Sequence, residues 1–209
     1  MKTFAVTICT GLLAAGFMSA QEVQRFTVDF GGGFTEPVGT TGRNLDIGWN
    51  VGGGAGINFN NYVGAKIDVA FNDFGINSGT LNAIGVPGGD VHIFSATLDP
   101  IVHLNPKGPV DFYLIGGGGI YHQYQEFTAP TTATATGFNP FFGFFPVTVA
   151  ANQVLSSYSV NKPGVDGGAG VAFGTKWHVK FYAEARYNRI FMSNGYHTDY
   201  VPVTFGFRW

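Results

Sequence analysis

Charged residues are scarce in this chain, and cysteine is almost absent. Asp, Glu, Lys and Arg make up 11% of the 209 residues, whereas an average soluble protein has about 25%. The single cysteine, Cys9, lies near the N-terminus, so the rest of the chain has no disulfide, thiol nucleophile or thiolate metal site. The formal net charge of −2 indicates no basic surface of the kind that binds nucleic acid.

Long apolar runs are also lacking. A helix that crosses a bilayer needs about 20 apolar residues. The best internal candidate, Phe112 to Tyr121, is short, and Gly116 to Gly119 interrupts it. The sequence beyond the N-terminus therefore predicts no membrane-spanning helix.

The N-terminus has the pattern of a secretory signal peptide. Lys2 precedes a mostly apolar stretch, and Ser19-Ala20 offers small residues for cleavage. We expect residues 1–20 to be a signal peptide and residues 21–209 to form one domain. An exported chain without a spanning helix is either a secreted soluble protein or a β-barrel.

Glycine and aromatic residues are abundant, with 32 glycines and 16% aromatics, and the last ten residues show how they are used. Alternate positions there form an apolar face and a more polar one; the apolar face is Val201, Val203, Phe205, Phe207 and Trp209. This period of two predicts a β-strand. A soluble protein seldom exposes such an edge, whereas in a transmembrane barrel the strand closes the sheet and faces lipid.

Similar alternation divides the chain into eight predicted strands, near 24–35, 45–58, 62–73, 90–104, 110–125, 164–175, 178–191 and 200–209. Three connections are short (58–61, 105–109 and 175–178) and four are longer (36–44, 74–89, 126–163 and 192–199). Short turns on one rim and long loops on the other are typical of outer-membrane barrels. The sequence thus predicts an all-β fold, an eight-stranded antiparallel transmembrane β-barrel with up-and-down topology, short periplasmic turns and long extracellular loops.

The faces of the predicted strands differ in polarity. In the third strand an apolar face that includes Ile67 and Phe71 lies opposite Lys66 and Asp68. We assign the apolar faces to lipid and the charged faces to the lumen, while the register of the fourth and fifth strands stays open. Aromatic residues near predicted strand ends are interpreted as interface girdles: Tyr62, Tyr113, Tyr121, Tyr124, Trp177, Tyr187, Tyr200 and Trp209.

The glycine-rich strands, the segment Phe181–Tyr187 and the closing segment Val201–Trp209 resemble the small eight-stranded bacterial outer-membrane barrels. That group includes the membrane domain of outer-membrane protein A and the Ail/OmpX-like proteins. The resemblance covers roughly residues 22–209. It implies a monomer in the bacterial outer membrane, with membrane lipid, periplasmic chaperones and the barrel-assembly machinery as partners. Phe205, Phe207 and Trp209 match the family's terminal assembly signal.

Charged residues of the predicted lumen are the first candidates for a functional site. They include Lys66, Asp68, Lys180, Glu184 and Arg186. Eight strands enclose a space that side chains can fill, which favours a paired plug. A narrow channel for ions or small solutes, lined by these charges, is the alternative.

Catalytic and metal sites find little support in the sequence. A barrel hydrolase of the lipid A deacylase type would carry His-x-Ser late in the chain, but the residue two before Ser193 is Phe191. The histidines lack a compact ligand spacing. We expect no catalytic residue, no metal and no cofactor, and hence no enzyme.

The 126–163 segment contains a cluster of aromatic residues in otherwise polar surroundings: Phe138, Phe141, Phe142, Phe144 and Phe145. An exposed apolar patch commonly marks a contact site, here for an unidentified surface partner. Two other interpretations are open. The aromatics could fold down over the barrel mouth, or the segment could extend the fifth and sixth strands as a hairpin. The sequence therefore predicts a non-enzymatic outer-membrane barrel with a structural or surface-interaction role.

Overall fold

The computed structural model describes residues 25–174 and 179–209. The predicted signal peptide and the predicted turn 175–178, with Trp177, lie outside the described residues. Within them, antiparallel strands form a closed barrel in chain order. The strands are β1 (Phe26–Pro37), β2 (Gly48–Asn58), β3 (Val63–Gly75), β4 (Gly88–His103), β5 (Val110–Asn139), β6 (Gly143–Gly174), β7 (Lys180–Phe191) and β8 (His197–Arg208). This confirms the predicted eight-stranded, up-and-down barrel.

In residues 25–174 and 179–209, helical structure occurs only in the connections between strands. A single α-helix in the described residues, α1 (Ser78–Ile84), lies between β3 and β4. The Asn77 side chain caps it by accepting a hydrogen bond from the Gly79 N–H, and Gly85 ends it in the left-handed conformation. None of the described helices is both long and apolar enough to cross a bilayer.

The barrel closes between its first and last strands. β1 pairs with β8 so that Phe30 lies opposite Phe207 and Phe34 opposite Val203. The Trp209 N–H donates to the Val28 carbonyl at 2.9 Å, and the Val28 N–H donates to the Trp209 carbonyl at 3.1 Å. The chain's last residues thus seal the sheet, which leaves the barrel wall without a free edge.

The two faces of the wall differ as predicted. Ile67 and Phe207 are exposed on the outside, whereas Lys66 and Asp68 are buried in the interior. The register of β4, which the sequence left open, places Leu98 outward and Asp99 inward. An apolar exterior around a polar interior is the arrangement of a barrel that faces lipid.

The 126–163 segment is not an irregular loop, and the predicted fifth and sixth strands are too short. The structure agrees with the open interpretation in which the segment extends these two strands as a hairpin. β5 and β6 pair from Val110↔Phe173 to Asn139↔Gly143, with an irregularity between Phe127 and Thr128. β4 leaves β5 after Thr128, and β7 pairs with β6 only from Gly164 onward. Residues 129–153 therefore form a two-stranded extension beyond β4, and residues 154–163 lie beside β5 but have no β7 strand next to them. The segment 129–163 is called the hairpin below. From Ala129 to Asn139, at roughly 3.3 Å per residue, it extends about 35 Å.

Three predicted girdle tyrosines lie elsewhere. Tyr113, Tyr121 and Tyr200 are fully buried inside the barrel. The reason is space on the facing strand: a Cβ at Gly170 would overlap the Tyr113 ring, and one at Gly164 would lie 2.7 Å from the Tyr121 ring. The sequence could not separate a girdle tyrosine from a lumen tyrosine, because both occur near strand ends.

The close contact between Gly170 and the Tyr113 ring allows the packing of tyrosines against glycines in the interior to be tested. Gly170→Ala should lower the free energy of unfolding by about 1–3 kcal/mol, the usual cost of overpacking a filled interior. Gly167→Ala is the matched control, since nothing lies within 4 Å of a Cβ there, and it should change stability by less than about 0.5 kcal/mol. Urea titration of the refolded barrel, followed by tryptophan fluorescence, measures both. Equal losses in the two variants would contradict the proposed packing.

Candidate functional site

The middle of the interior is organised around Arg186. Its guanidinium contacts carboxylates from four strands: Asp68 of β3 at 2.6 Å, Asp99 of β4 at 2.7 Å, Asp166 of β6 at 3.3 Å and Glu184 of β7 at 2.5 Å. All four carboxylates are buried. A planar guanidinium with five N–H donors suits such multiple contacts, so Arg186 links strands on opposite sides of the lumen.

Lys66 extends the same network towards the end of the barrel that carries the short turns, called the inner end. Its ammonium lies 2.7 Å from Asp29 and 2.9 Å from Asp68. Arg208 approaches Asp29 at 3.5 Å. The charged side chains around Arg186 and Lys66 are called the ionic cluster below: Asp29, Lys66, Asp68, Asp99, Asp166, Glu184, Arg186 and Arg208.

Arg208 also lies between two aromatic rings. Its guanidinium carbon is 4.7 Å from the Tyr113 ring centroid and 5.1 Å from that of Tyr182. The attraction between a cation and an aromatic face adds to its ion pairs. The alternation in the last ten residues of the sequence places Arg208 on the face opposite Phe207, but it gives no sign of these tyrosine partners.

The ionic cluster contains more carboxylates than cations. Five acids (Asp29, Asp68, Asp99, Asp166 and Glu184) face three bases (Lys66, Arg186 and Arg208), so 5 − 3 leaves two formal negative charges in excess. Three buried carboxylate oxygens have no hydrogen-bond partner: Asp99 Oδ1, Asp166 Oδ1 and Glu184 Oε2. Loss of a cation should therefore disturb the cluster more than loss of a carboxylate.

Lys180 lies apart from this network, although the sequence grouped it with Lys66, Asp68, Glu184 and Arg186. It lines a cavity of about 220 Å³ at the inner mouth, together with His103, Asp111 and Arg208. His103 pairs with Asp111 at 2.5 Å. Among the described residues, no carboxylate lies within ion-pair distance of Lys180.

The outer half of the interior, near the long connections, contains a layer of apolar side chains that the sequence did not predict, called the apolar layer: Phe74, Ile76, Val91, Ile93, Tyr121, Ile190 and Tyr200. Buried polar side chains, among them Thr35, Asn72 and Asn188, lie in the same half. Below the apolar layer, the gap beside the ionic cluster measures about 60 Å³, room for a few water molecules. The apolar layer and the ionic cluster thus occupy successive levels of the barrel interior.

The hairpin tip, residues 138–145, does not fold over the barrel mouth. Phe141, Phe142 and Phe144 are 93%, 71% and 77% exposed. Gly143 adopts a φ of +78° at the turn, and the Asn139 side chain accepts a hydrogen bond from the Phe141 N–H at 2.9 Å. The Phe138 and Phe144 rings contact each other, with centroids 5.2 Å apart. The structure thus presents the predicted contact residues at the far end of the hairpin.

The predicted assembly residues all lie on the outer surface of β8 and at the C-terminus. Phe205, Phe207 and Trp209 are exposed. The Phe207 ring lies 5.8 Å from that of Phe181 and 6.4 Å from that of Trp209. The three side chains thus form an outward aromatic strip along the end of the chain, in which Phe207 contacts both Trp209 and Phe181 of β7.

Ser193 sits in an exposed turn, where its hydroxyl accepts a hydrogen bond from Lys162 Nζ at 2.7 Å. His197, the nearest histidine in sequence, pairs with Asp199 at 3.3 Å. In the part of the chain that the structure describes, no group of three or more His, Cys, Asp or Glu could hold a metal ion.

Comparisons with known proteins agree with this architecture. The sequence profile of one family, described as "Outer membrane protein beta-barrel domain", matches residues 5–208. Neisserial surface protein A has a similar structure, with a TM-score of 0.54 at 16% identity over 88% of this chain and 95% of that one. A major outer membrane protein of Thermus thermophilus has a TM-score of 0.56 at 12% identity over 88% and 98%. At such identities the likeness shows the fold alone. No curated protein sequence matches the chain significantly.

The role of Arg186 can be tested by neutralising it. Arg186→Gln should lower the free energy of unfolding by about 3–5 kcal/mol, because it leaves buried carboxylates unpaired. Adding Asp99→Asn should recover part of this loss, since it removes one of the excess negative charges. Lys107→Gln is the control: Lys107 is an exposed cation in the turn between β4 and β5, and its loss should matter little. Urea unfolding of the refolded variants measures all three; a double variant no more stable than Arg186→Gln would refute the charge excess.

Proposed function

The chain belongs to the outer membrane protein beta-barrel domain family, and on that premise we propose that it is a non-enzymatic surface protein whose plugged barrel carries a contact hairpin. A bacterial outer-membrane location follows from the membership. The observation that carries the proposal is the exposed aromatic tip at the end of a hairpin about 35 Å long.

A plugged interior supports a scaffold role rather than the alternative, a narrow channel. An ion path needs continuous space, but the apolar layer lies above the ionic cluster and the gap between the charged side chains is small. A dry apolar constriction opposes ion passage. In this proposal the ionic cluster stiffens the wall from which the hairpin extends.

The hairpin itself supports a role in contact. Its strands are continuous with the two barrel strands beneath them, so the wall fixes the direction in which it points. Binding residues are commonly held on projecting segments by a rigid scaffold. The tip residues Phe138, Phe141, Phe142, Phe144 and Phe145 are the proposed contact surface for an unidentified partner.

Export and assembly complete the proposal. Residues 1–20 would direct export. Phe205, Phe207 and Trp209 would be recognised by periplasmic chaperones and the barrel-assembly machinery before β8 pairs with β1. Their outward aromatic strip is accessible on an isolated β8 strand and faces lipid afterwards, which suits both roles.

The contact role is tested by removing residues 138–146. In the register of the hairpin, Ala135 pairs with Val147, so the deletion leaves Thr136-Gly137 as a two-residue turn and keeps the strands paired. Cells that display the shortened protein should lose adhesion to a layer of other cells and keep wild-type amounts of heat-modifiable, inserted barrel. Both proteins should be electrically silent in a planar bilayer.

Two results would count against this function. Undiminished adhesion of the deletion variant would remove the hairpin tip from the contact. Steady conductance steps that change when Lys66 or Glu184 is neutralised would favour the channel instead.

The assembly role is tested with two phenylalanines at the same depth. Phe207→Asp should strongly reduce insertion in cells, because it alters both the terminal signal and the lipid face. Phe30→Asp is the matched control, since Phe30 is the register partner of Phe207 and is similarly exposed at 59% against 52%. A lipid-facing charge should destabilise both variants alike in refolding experiments, yet Phe207→Asp should insert less in cells. Equal insertion would show that the terminal strip acts only through lipid contact.

A further inference from the structure

The hairpin has no charged side chain beyond its base, where Lys162 lies. Between Phe127 and Asn161 the sequence contains no Asp, Glu, Lys, Arg or His. Exposed segments that stay in water usually carry charge. Because the hairpin beyond its base carries no charge, it does not repel an approaching charged surface. Electrostatic attraction is likewise excluded as a basis for binding.

The stem of the hairpin, residues 129–137 and 146–161, is poorly suited to pairing with a strand from another protein. Beyond the rim each of its outer edges is free of a neighbouring strand in the described residues. Each edge, however, contains proline, with Pro130 in β5 and Pro146 in β6. Proline offers no N–H to an incoming strand, and prolines on edges protect against such pairing. The stem therefore disfavours strand addition.

The tip, in contrast, has no such protection. Phe141, Phe142 and Phe144 project with most of their surface exposed, and Pro140 and Gly143 complete the turn between the strands. Protein contact sites usually centre on Trp, Tyr and Arg in well-packed pockets. This tip has none of those residue types. Insertion into hydrocarbon requires only apolar surface, without a complementary shape.

We propose that the hairpin tip inserts its phenylalanines into a lipid bilayer apposed to the one that the barrel spans. This inference rests on the proposed contact function and names its partner. The length of the hairpin carries the tip beyond the shorter loops, and the uncharged stem crosses the gap between the two membranes. A single small apolar anchor binds a membrane weakly, so firm attachment comes from many barrels on one surface acting together.

The test uses two vesicle populations. Refolded full-length barrel is reconstituted in sucrose-loaded, dense vesicles, and protein-free phosphatidylcholine vesicles carrying a fluorescent lipid form the other set; sedimentation of the fluorescent lipid with the dense barrel vesicles measures tethering between them. Wild type should tether, with a steep dependence on barrel density. Phe141→Ser/Phe142→Ser/Phe144→Ser should reduce tethering by at least about tenfold. Many tips bind together, so a modest loss of affinity at each tip is multiplied over all of them.

The matched control alters three exposed apolar residues of the stem instead. Val149→Ser/Val154→Ser/Leu155→Ser removes side chains that are 41%, 50% and 54% exposed, and it should retain wild-type tethering. Tethering should also be the same at low and high salt and with anionic lipid added, since the tip and stem carry no charge for ions to screen.

The outcomes separate this inference from the proposed function. Absence of tethering by wild type, or equal loss in the tip and stem variants, would overturn the lipid proposal. If adhesion of cells still required residues 138–146 while vesicles failed to bind, the partner would be a protein and the contact function would stand. If neither adhesion nor tethering depended on the tip, both would fall.

Discussion

The structure depends on the pairing of β8 with β1. Hydrocarbon offers no water to backbone N–H and C=O groups, so a sheet in lipid must pair every strand on both sides. Seven of the eight pairings join strands that are neighbours in the chain; the eighth joins the two ends. Trp209 completes it through two hydrogen bonds to Val28. This explains why an aromatic strand stands at the C-terminus, where a soluble protein would tolerate it poorly.

Closure creates a second demand, because an eight-stranded ring encloses a space that must be filled. Large side chains enter it where the facing strand has glycine, as with Tyr113 opposite Gly170. Charged side chains enter it in matched groups, since a buried ion is costly without partners. Arg186 satisfies both requirements at once. Its guanidinium lies at the centre of the barrel and joins carboxylates from four strands. The ion pairs that occupy the enclosed space therefore also connect the strands of the wall.

Much of this could be predicted from local pattern. A period of two assigns Lys66 and Asp68 to one face and Ile67 to the other, because only one face can be in lipid. The sequence could not show which carboxylates Arg186 contacts, since that depends on the register of strands distant in the chain. It also could not place Tyr121, whose apolar ring and polar hydroxyl suit a lumen as well as an interface. The sequence left the hairpin as one of several interpretations of the 126–163 segment, because the threonines and alanines there lack the apolar alternation by which the barrel strands were identified.

That missing alternation is itself informative. On β5 the outward residues Leu114 and Ile120 are apolar within the barrel, whereas the exposed residues Thr132 and Thr134 in the hairpin are polar. The change follows the change of solvent from lipid to water. On β6 the exposed Val149, Val154 and Leu155 are exceptions. At the tip aromatic residues cluster, although nothing in the described part of the chain covers Phe141. The prolines of the stem oppose strand pairing, yet no residue of the tip opposes apolar contact. The hairpin therefore excludes one kind of association while leaving the other open, and this difference distinguishes a contact surface from an unprotected edge.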